Sequence, residues 1–180
     1  MKSLADYIIA VDGVMPLDMC EGLIEAYDKC EDIVVRSNDT YYFSEVNMLD
    51  NPAFEEFRDP MVQLMTIMHR EYQKRTGNLM PDTEAYEAPR IKKYEPNEGI
   101  FDWHIDAADH ASGRRLLVMF WYLNDVDEGG HTVFNIGQEI SVAPRAGRVV
   151  CFPPNFMYPH KGATPISGPK YVVSSYVHLP

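Results

Sequence analysis

Beyond Pro81 the chain breaks into short apolar runs punctuated by Gly, Pro, Asn and Asp, and no other feature constrains its fold so tightly. That texture is the signature of an antiparallel sandwich or barrel. The candidate strands are Arg90 to Tyr94, Ile100 to Ile105, Arg115 to Leu123, Glu139 to Val142, Arg148 to Phe152 and Tyr171 to Val177. Turn signals separate them: Asp127-Glu128-Gly129-Gly130, Asn135-Ile136-Gly137, Ala146-Gly147, Pro153-Pro154-Asn155 and Gly168-Pro169. The longest apolar run, Leu116 to Leu123, suits a buried strand. Many short strands imply a jelly-roll-like double sheet.

The first half reads differently. Pro16 stands at a helix start, and Leu17, Cys20, Ile24 and Tyr27 recur at helical spacing. Asp59-Pro60 reads as an N-cap and first helical residue, Leu64, Met65, Met68 and Tyr72 form a stripe, and Gly77 then Pro81 supply stop signals. Both helices are expected to pack on a sheet, with the methionines as core. The fold class is therefore α+β with a mainly β core. A chain of 180 residues supports one sizeable core, so a single domain is expected over 1–180, its support in 1–80 and its jelly-roll in 81–180.

Composition narrows the partners. No apolar run approaches the ~18 residues of a membrane-spanning helix, and Asp6 interrupts the short apolar stretch at the N-terminus. Neither a membrane nor secretion is expected. Cys20, Cys30 and Cys151 make an odd number without metal-finger spacing, which fits a reducing, cytoplasmic setting. A net charge of −11 repels phosphate backbones, so no nucleic-acid partner is expected, while a neutral or basic peptide is tolerated.

The chemistry concentrates in Trp103-His104-Ile105-Asp106, Tyr158-Pro159-His160 and Lys170. Two imidazoles and one carboxylate offer three ligands to a redox iron and leave other coordination positions open for a cosubstrate and oxygen. On a strand, residues two apart share a face, so His104 and Asp106 can reach one metal. A packed double sheet can deliver His160 from a late strand. A His-x-Asp alone is a weak signal, and surface pairs of this kind arise by chance.

Its company is specific. Tyr94 lies ten residues before His104. Then follow Tyr122-Leu123-Asn124-Asp125, Gly129-Gly130-His131-Thr132-Val133-Phe134, Pro144-Arg145-Ala146-Gly147-Arg148, His160-Lys161-Gly162 and Lys170. In that order, residues from about Arg90 to Val177 resemble the iron and 2-oxoglutarate dependent dioxygenases, specifically the prolyl 4-hydroxylase branch. The stretch from Ile8 to Tyr27 resembles the family's opening strand and helix.

The resemblance implies a double-stranded β-helix, cupin-like, with the N-terminal helices packed on one sheet. It implies Fe(II) held by His104, Asp106 and His160, with 2-oxoglutarate and O2 as cosubstrates and ascorbate as a reductant. It assigns Lys170 to the distal carboxylate of 2-oxoglutarate, and the hydroxyls of Tyr94 and Thr132 to the same cosubstrate. A lysine in a sheet interior fits that assignment, because an unpaired buried ammonium is costly and a bound dicarboxylate compensates it. His131 stands where the family usually has an acidic residue and is expected to face outward. His69, His110 and His178 have no partner at ligand spacing.

The implied activity is hydroxylation with release of succinate and CO2, and the implied substrate is a prolyl residue in a peptide or protein. The stretch Thr40 to Asp50 and the loop between Asp106 and Arg114 are the candidate substrate-reading loops. The same iron site also serves a free amino acid, a small metabolite or another protein residue. A silent jelly-roll that keeps the histidines as a structural metal site is the reading from outside enzymology.

Overall fold

A computed structural model describes residues 2–78 and 80–179. In chain order its elements are β1 (Ile9–Val11), α1 (Leu17–Asp28), β2 (Val34–Ser37), β3 (Tyr41–Asn47), α2 (Glu55–Thr76), β4 (Arg90–Tyr94), β5 (Ile100–His104), β6 (Arg115–Tyr122), β7 (Thr132–Asn135), β8 (Glu139–Val142), β9 (Val149–Phe152), β10 (His160–Gly162) and β11 (Lys170–His178). Short 3₁₀ turns lie at Leu4–Tyr7, Pro52–Phe54 and Ser112–Arg114.

The strands form one antiparallel sheet in the order β1-β9-β6-β11-β4-β3-β5-β10-β7-β8, with β2 paired to β3 alone. The sheet rolls over so that its two halves face each other. Phe134 of β7 meets Phe152 of β9 with ring centroids 4.8 Å apart. The result is the expected jelly-roll, a nearly closed barrel with two helices outside.

Period-2 alternation splits the central strands between two cores. On β6, Leu117, Met119 and Trp121 turn outward, joined by Val149 and Cys151 of β9, Ile91 of β4 and Tyr171, Val173 and Val177 of β11. Against them pack Cys20, Leu23 and Tyr27 of α1 and Met61, Met65, Met68 and Tyr72 of α2. Val118, Phe120 and Tyr122 turn inward with Val150, Phe152, Val172 and Tyr176. Being buried on both faces is why Leu116 to Leu123 reads as a continuous apolar run.

Helix α1 starts at Pro16 as the spacing predicts, and Gly77 ends α2 with φ +95° while its N–H reaches Gln73 O. The start of α2 differs from expectation. Asp59-Pro60 is not its N-cap and first residue, because the helix begins at Glu55 and Pro60 lies inside it. The chain has already turned at Asn51, whose side chain accepts from Ala53 N–H at 2.8 Å, and Phe54 is anchored in the core. Pro60 is exposed, so the carbonyl whose bond it removes can be hydrated.

Thr40 to Asp50 is not a substrate-reading loop either. Tyr41–Asn47 is β3, paired to both β4 and β5, and its Phe43, Glu45 and Val46 are buried. Strands β2, β7 and β10 were not among the predicted ones.

Candidate active site

One end of the barrel interior opens into a cleft whose lining includes His104, Asp106, His160, Lys170, Tyr94 and Thr132. All six residues singled out in the sequence therefore face one space.

His104 and His160 are direct partners across β5 and β10, with ring centroids 4.2 Å apart. Asp106 reaches them by a different route from the one strand alternation predicts. Strand β5 ends at His104, and the backbone N–H groups of Asp106 and Ala107 both donate to Pro154 O, at 3.1 and 3.0 Å. A loop contact, not the pleat, sets the carboxylate. Asp106 Oδ2 lies 3.3 Å from His160 Nε2 and Oδ1 lies 3.9 Å from His104 Nε2, and the three donor atoms all fall within 4.8 Å of one another.

Each imidazole is fixed by its other nitrogen. His104 Nδ1 sits 2.7 Å from Asp102 O and His160 Nδ1 sits 3.0 Å from Tyr158 O. A carbonyl only accepts, so each Nδ1 carries a proton and each Nε2 is turned toward Asp106. Phe101 stacks on His104 at 3.6 Å, and Phe152 stands edge-on to His160 at 4.7 Å. Burial and then the neighbouring His160 push the His104 imidazolium down to about 4, so its ring is neutral at physiological pH. Burial opposes ionisation of Asp106, yet His160, His104 and Lys92 hold its carboxyl well below the usual range. Two imidazoles whose Nε2 atoms converge beside an ionised carboxylate are the donor set that a divalent ion requires.

The supports of Asp106 carry no signal in the His-x-Asp motif. Tyr176 Oη donates to Asp106 Oδ1 at 2.9 Å, and Arg115 Nη1 donates to Asp106 O at 2.8 Å. Arg115 lies 3.7 Å from the Tyr176 ring centroid and grips Glu87 with two bonds of 2.9 Å. His178 Nε2 lies 3.4 Å from the same carboxylate. The signal for Tyr176 was the alternation of β11, since it lies six residues after Lys170 and on the same face.

Lys170 is 2% exposed and stands opposite Tyr94 in the β11–β4 register. Its Nζ donates to Gly130 O at 3.0 Å, approaches Ala163 O at 3.5 Å and lies 4.3 Å from the Tyr94 ring centroid. Among the described residues no carboxylate comes within ion-pair distance of it, and burial alone pushes its ammonium down to about 7. Gly130 reaches it at φ +70°. Thr132 is buried, with its Oγ1 2.7 Å from Tyr122 Oη, which in turn reaches Val142 O at 3.2 Å. A cationic end lined with hydroxyls thus faces the histidine–carboxylate end of one cleft, and a small dicarboxylate suits that pair of ends.

The other histidines stay apart. His131 is half-buried with Nδ1 on Gly129 O, His69 is buried beside Tyr86, and His110 is exposed. Trp121 lies in the outer core, and Trp103 is 41% exposed beneath Lys161. Arg148 pairs with Asp12 and donates to Ala143 O.

Residues 89–178 match the family model of the 2OG-Fe(II) oxygenase superfamily. No curated protein sequence matches the chain. Among solved structures it is similar to a Pseudomonas putida prolyl-4-hydroxylase, at 18% identity and TM-score 0.71, covering 96% of this chain and 93% of the other. It is also similar to a viral collagen prolyl hydroxylase from Paramecium Bursaria Chlorella virus-1 in complex with 2OG, at 19% identity and TM-score 0.68, covering 94% of each chain. A Trichoplax adhaerens prolyl hydroxylase in complex with a hypoxia inducible factor peptide fragment shares 12% identity at TM-score 0.71, covering 96% of this chain and 84% of the other.

Proposed function

The chain belongs to the 2OG-Fe(II) oxygenase superfamily, and we propose that it is a prolyl hydroxylase-like dioxygenase in which His104, Asp106 and His160 hold Fe(II) while Lys170, Tyr94 and Thr132 hold 2-oxoglutarate. When bound, the iron and cosubstrate supply oxygen activation coupled to decarboxylation of 2-oxoglutarate to succinate and CO2.

The protein's own part is orientation and exclusion. The carbonyls of Asp102 and Tyr158 aim both Nε2 atoms at one point, and Tyr176 and Arg115 fix the third ligand. Lys170 neutralises the far carboxylate of the cosubstrate. Phe101, Phe120, Phe152 and Val172 wall the cleft with apolar surface and keep water from the reacting carbon.

The observation that carries this reading is a divalent-ion donor set and a buried ammonium without a carboxylate partner facing each other in one cleft. A prolyl target is supported by the similarity to three prolyl hydroxylases, one of them in complex with a peptide. An extended proline-containing segment is also a preformed, low-entropy ligand for an open cleft. The exposed loop between Asp106 and Arg114 is the candidate reader of that segment. No helix among the described residues is long and apolar enough to cross a membrane. The free thiols of Cys20, Cys30 and Cys151 fit a cytoplasmic setting.

The test is succinate formation by Fe(II)-reconstituted protein with and without proline-containing peptides, against His160→Ala. Peptide-stimulated turnover, with one oxygen atom added to proline by mass spectrometry, is the expected result. Peptide-independent turnover lost in His160→Ala moves the substrate to a free amino acid or another residue. No turnover by iron-loaded protein overturns the enzymatic reading.

A further inference from the structure

A second lysine points into the cleft. Lys92 lies two residues before Tyr94 on the inward face of β4, opposite Glu45 of β3 and Val172 of β11. Among the described residues its ammonium has no hydrogen-bond acceptor and no carboxylate within ion-pair distance. The side chain rests between two aromatic rings, its Nζ 5.0 Å from the centroid of Phe43 and 6.0 Å from that of Phe101.

The nearby anions are already engaged. Glu45 is held by Arg36 Nε at 2.9 Å. Asp106 has one oxygen on Tyr176 and the other facing His160. Lys92 is thus a cation in a partly desolvated, aromatic-walled place, with free donors aimed at the space beside the triad, and burial lowers its pKa as it does that of Lys170. Glu45 and Asp106 favour its charge from a distance, but a cosubstrate held by Lys170 leaves Lys92 without a carboxylate in direct contact.

We propose that Lys92 is an anion-recognition site for the primary substrate, accepting one carboxylate of the molecule to be oxidised. It rests on the reading that iron and 2-oxoglutarate share this cleft. A single ammonium between two rings matches one negative charge, while an overall charge of −11 repels a polyanion such as nucleic acid. Phe101 stacks on His104, so a group seated at Lys92 lies one ring away from the triad and fixes which carbon faces it. The carboxylate comes either from an acidic side chain in a peptide or from the α-carboxylate of a free amino acid.

The experiment measures equilibrium binding to Mn(II)-loaded protein saturated with 2-oxoglutarate under anaerobic conditions. Its probes are matched pairs: capped Gly-Pro-Glu against Gly-Pro-Gln, capped Gly-Ala-Glu against Gly-Ala-Gln, and L-proline against L-prolinamide. The carboxylate member of at least one pair is expected to bind about tenfold more tightly, the worth of one charge-assisted hydrogen bond. Lys92→Met is expected to erase that preference while its affinity for 2-oxoglutarate stays within about twofold, which also shows that the variant is folded. The pair that discriminates identifies the source, and discrimination by the alanine pair alone removes the prolyl reading and keeps Lys92. Three outcomes overturn the proposal: no pair in which the carboxylate member binds more tightly, a preference that survives Lys92→Met, or a loss of 2-oxoglutarate affinity in Lys92→Met as large as in Lys170→Met.

Discussion

Replacing Lys170 with methionine keeps the length of the buried stem and removes its charge. In the wild type the ammonium has only the carbonyls of Gly130 and Ala163 and the Tyr94 ring for company. A carboxylate delivered to it gains a charge-assisted bond, and the same carboxylate beside a thioether is stranded in a dry pocket. Losing one member of a buried ion pair costs about 3 to 5 kcal/mol, so 2-oxoglutarate affinity is expected to fall at least about 100-fold. Iron affinity is expected to hold, since the triad is untouched. The pH dependence adds a second readout. Burial takes the Lys170 ammonium down to about 7 from its ordinary 10.5. A ligand that binds only the charged form therefore loses about tenfold in affinity between pH 6 and pH 8. Without ligand the sign reverses: between pH 7 and about 10.5 the unfolded chain binds a proton the folded one has released, so stability rises with pH through that window. The assay is 2-oxoglutarate titration of Mn(II)-saturated protein at pH 6, 7 and 8, with urea midpoints of metal-free protein from pH 7 to 10. A Lys170→Met variant within about threefold of wild type, or one with the same pH slope, refutes the carboxylate pairing.

Three further perturbations separate the parts of the site from the parts of the fold. Tyr176→Phe removes the donor on Asp106 Oδ1 and is expected to weaken Co(II) or Fe(II) binding about tenfold with little change in the urea midpoint, since outer hydrogen bonds to metal ligands are worth about that much; unchanged metal affinity removes Tyr176 from that role. Arg115→Met leaves Glu87 half-buried without its two-bonded partner, and a loss of about 2 to 4 kcal/mol in denaturant unfolding is expected, with less than 1 contradicting the reading. Met65→Ala, 1% exposed between α2 and the outer sheet face, is expected to cost about 2 to 4 kcal/mol with 2-oxoglutarate affinity retained, and a matching loss of affinity indicates that the helix layer positions the cleft directly.

Much of the β-rich half was legible because its strands obey one periodic rule. Arg90 to Tyr94 and Glu139 to Val142 fall where the pattern places them, and the two-sided burial of β6 is written in Leu116 to Leu123. Elements fixed by contacts rather than by their own pattern were not legible. Strand β10 spans only His160 to Gly162, and β7 opens directly from the Gly129-Gly130 turn. Strand β3 reads as a loop because turn residues stand close on both sides, Asn38 to Thr40 before it and Asp50-Asn51 after it, and its pairing with β4 and β5 identifies it. His104 and Asp106 converge as the sequence implied, but the reasoning from the pleat does not hold. Between His160↔His104 and Gly162↔Phe101, strand β5 carries one residue more than β10, so a bulge puts Phe101 and His104 on the same side. Asp106 then reaches them from a loop tied to Pro154.

The same alternation that turns Lys92 and Tyr176 inward explains how this interior carries so many polar groups. On β4 and β11 the polar inward positions are Lys92, Tyr94, Lys170, Ser174 and Tyr176, joined by the apolar Val172, while Ile91, Tyr171, Val173 and Val177 of the same strands turn outward. Two lysines and an aspartate facing one cleft oppose folding, because each loses hydration that no protein partner fully replaces. The outer faces of those strands, sealed under α1 and α2, offset that cost with apolar burial where it does not interfere with the cleft. The helices thus contribute to the chemistry without touching it: their packing lets the inner face be selected for charge rather than for stability. Placing the binding groups on the paired central strands β4 and β11 also holds them against collapse onto one another. A cleft whose lysines reach neither Glu45 nor Asp106 keeps its cations free for ligands.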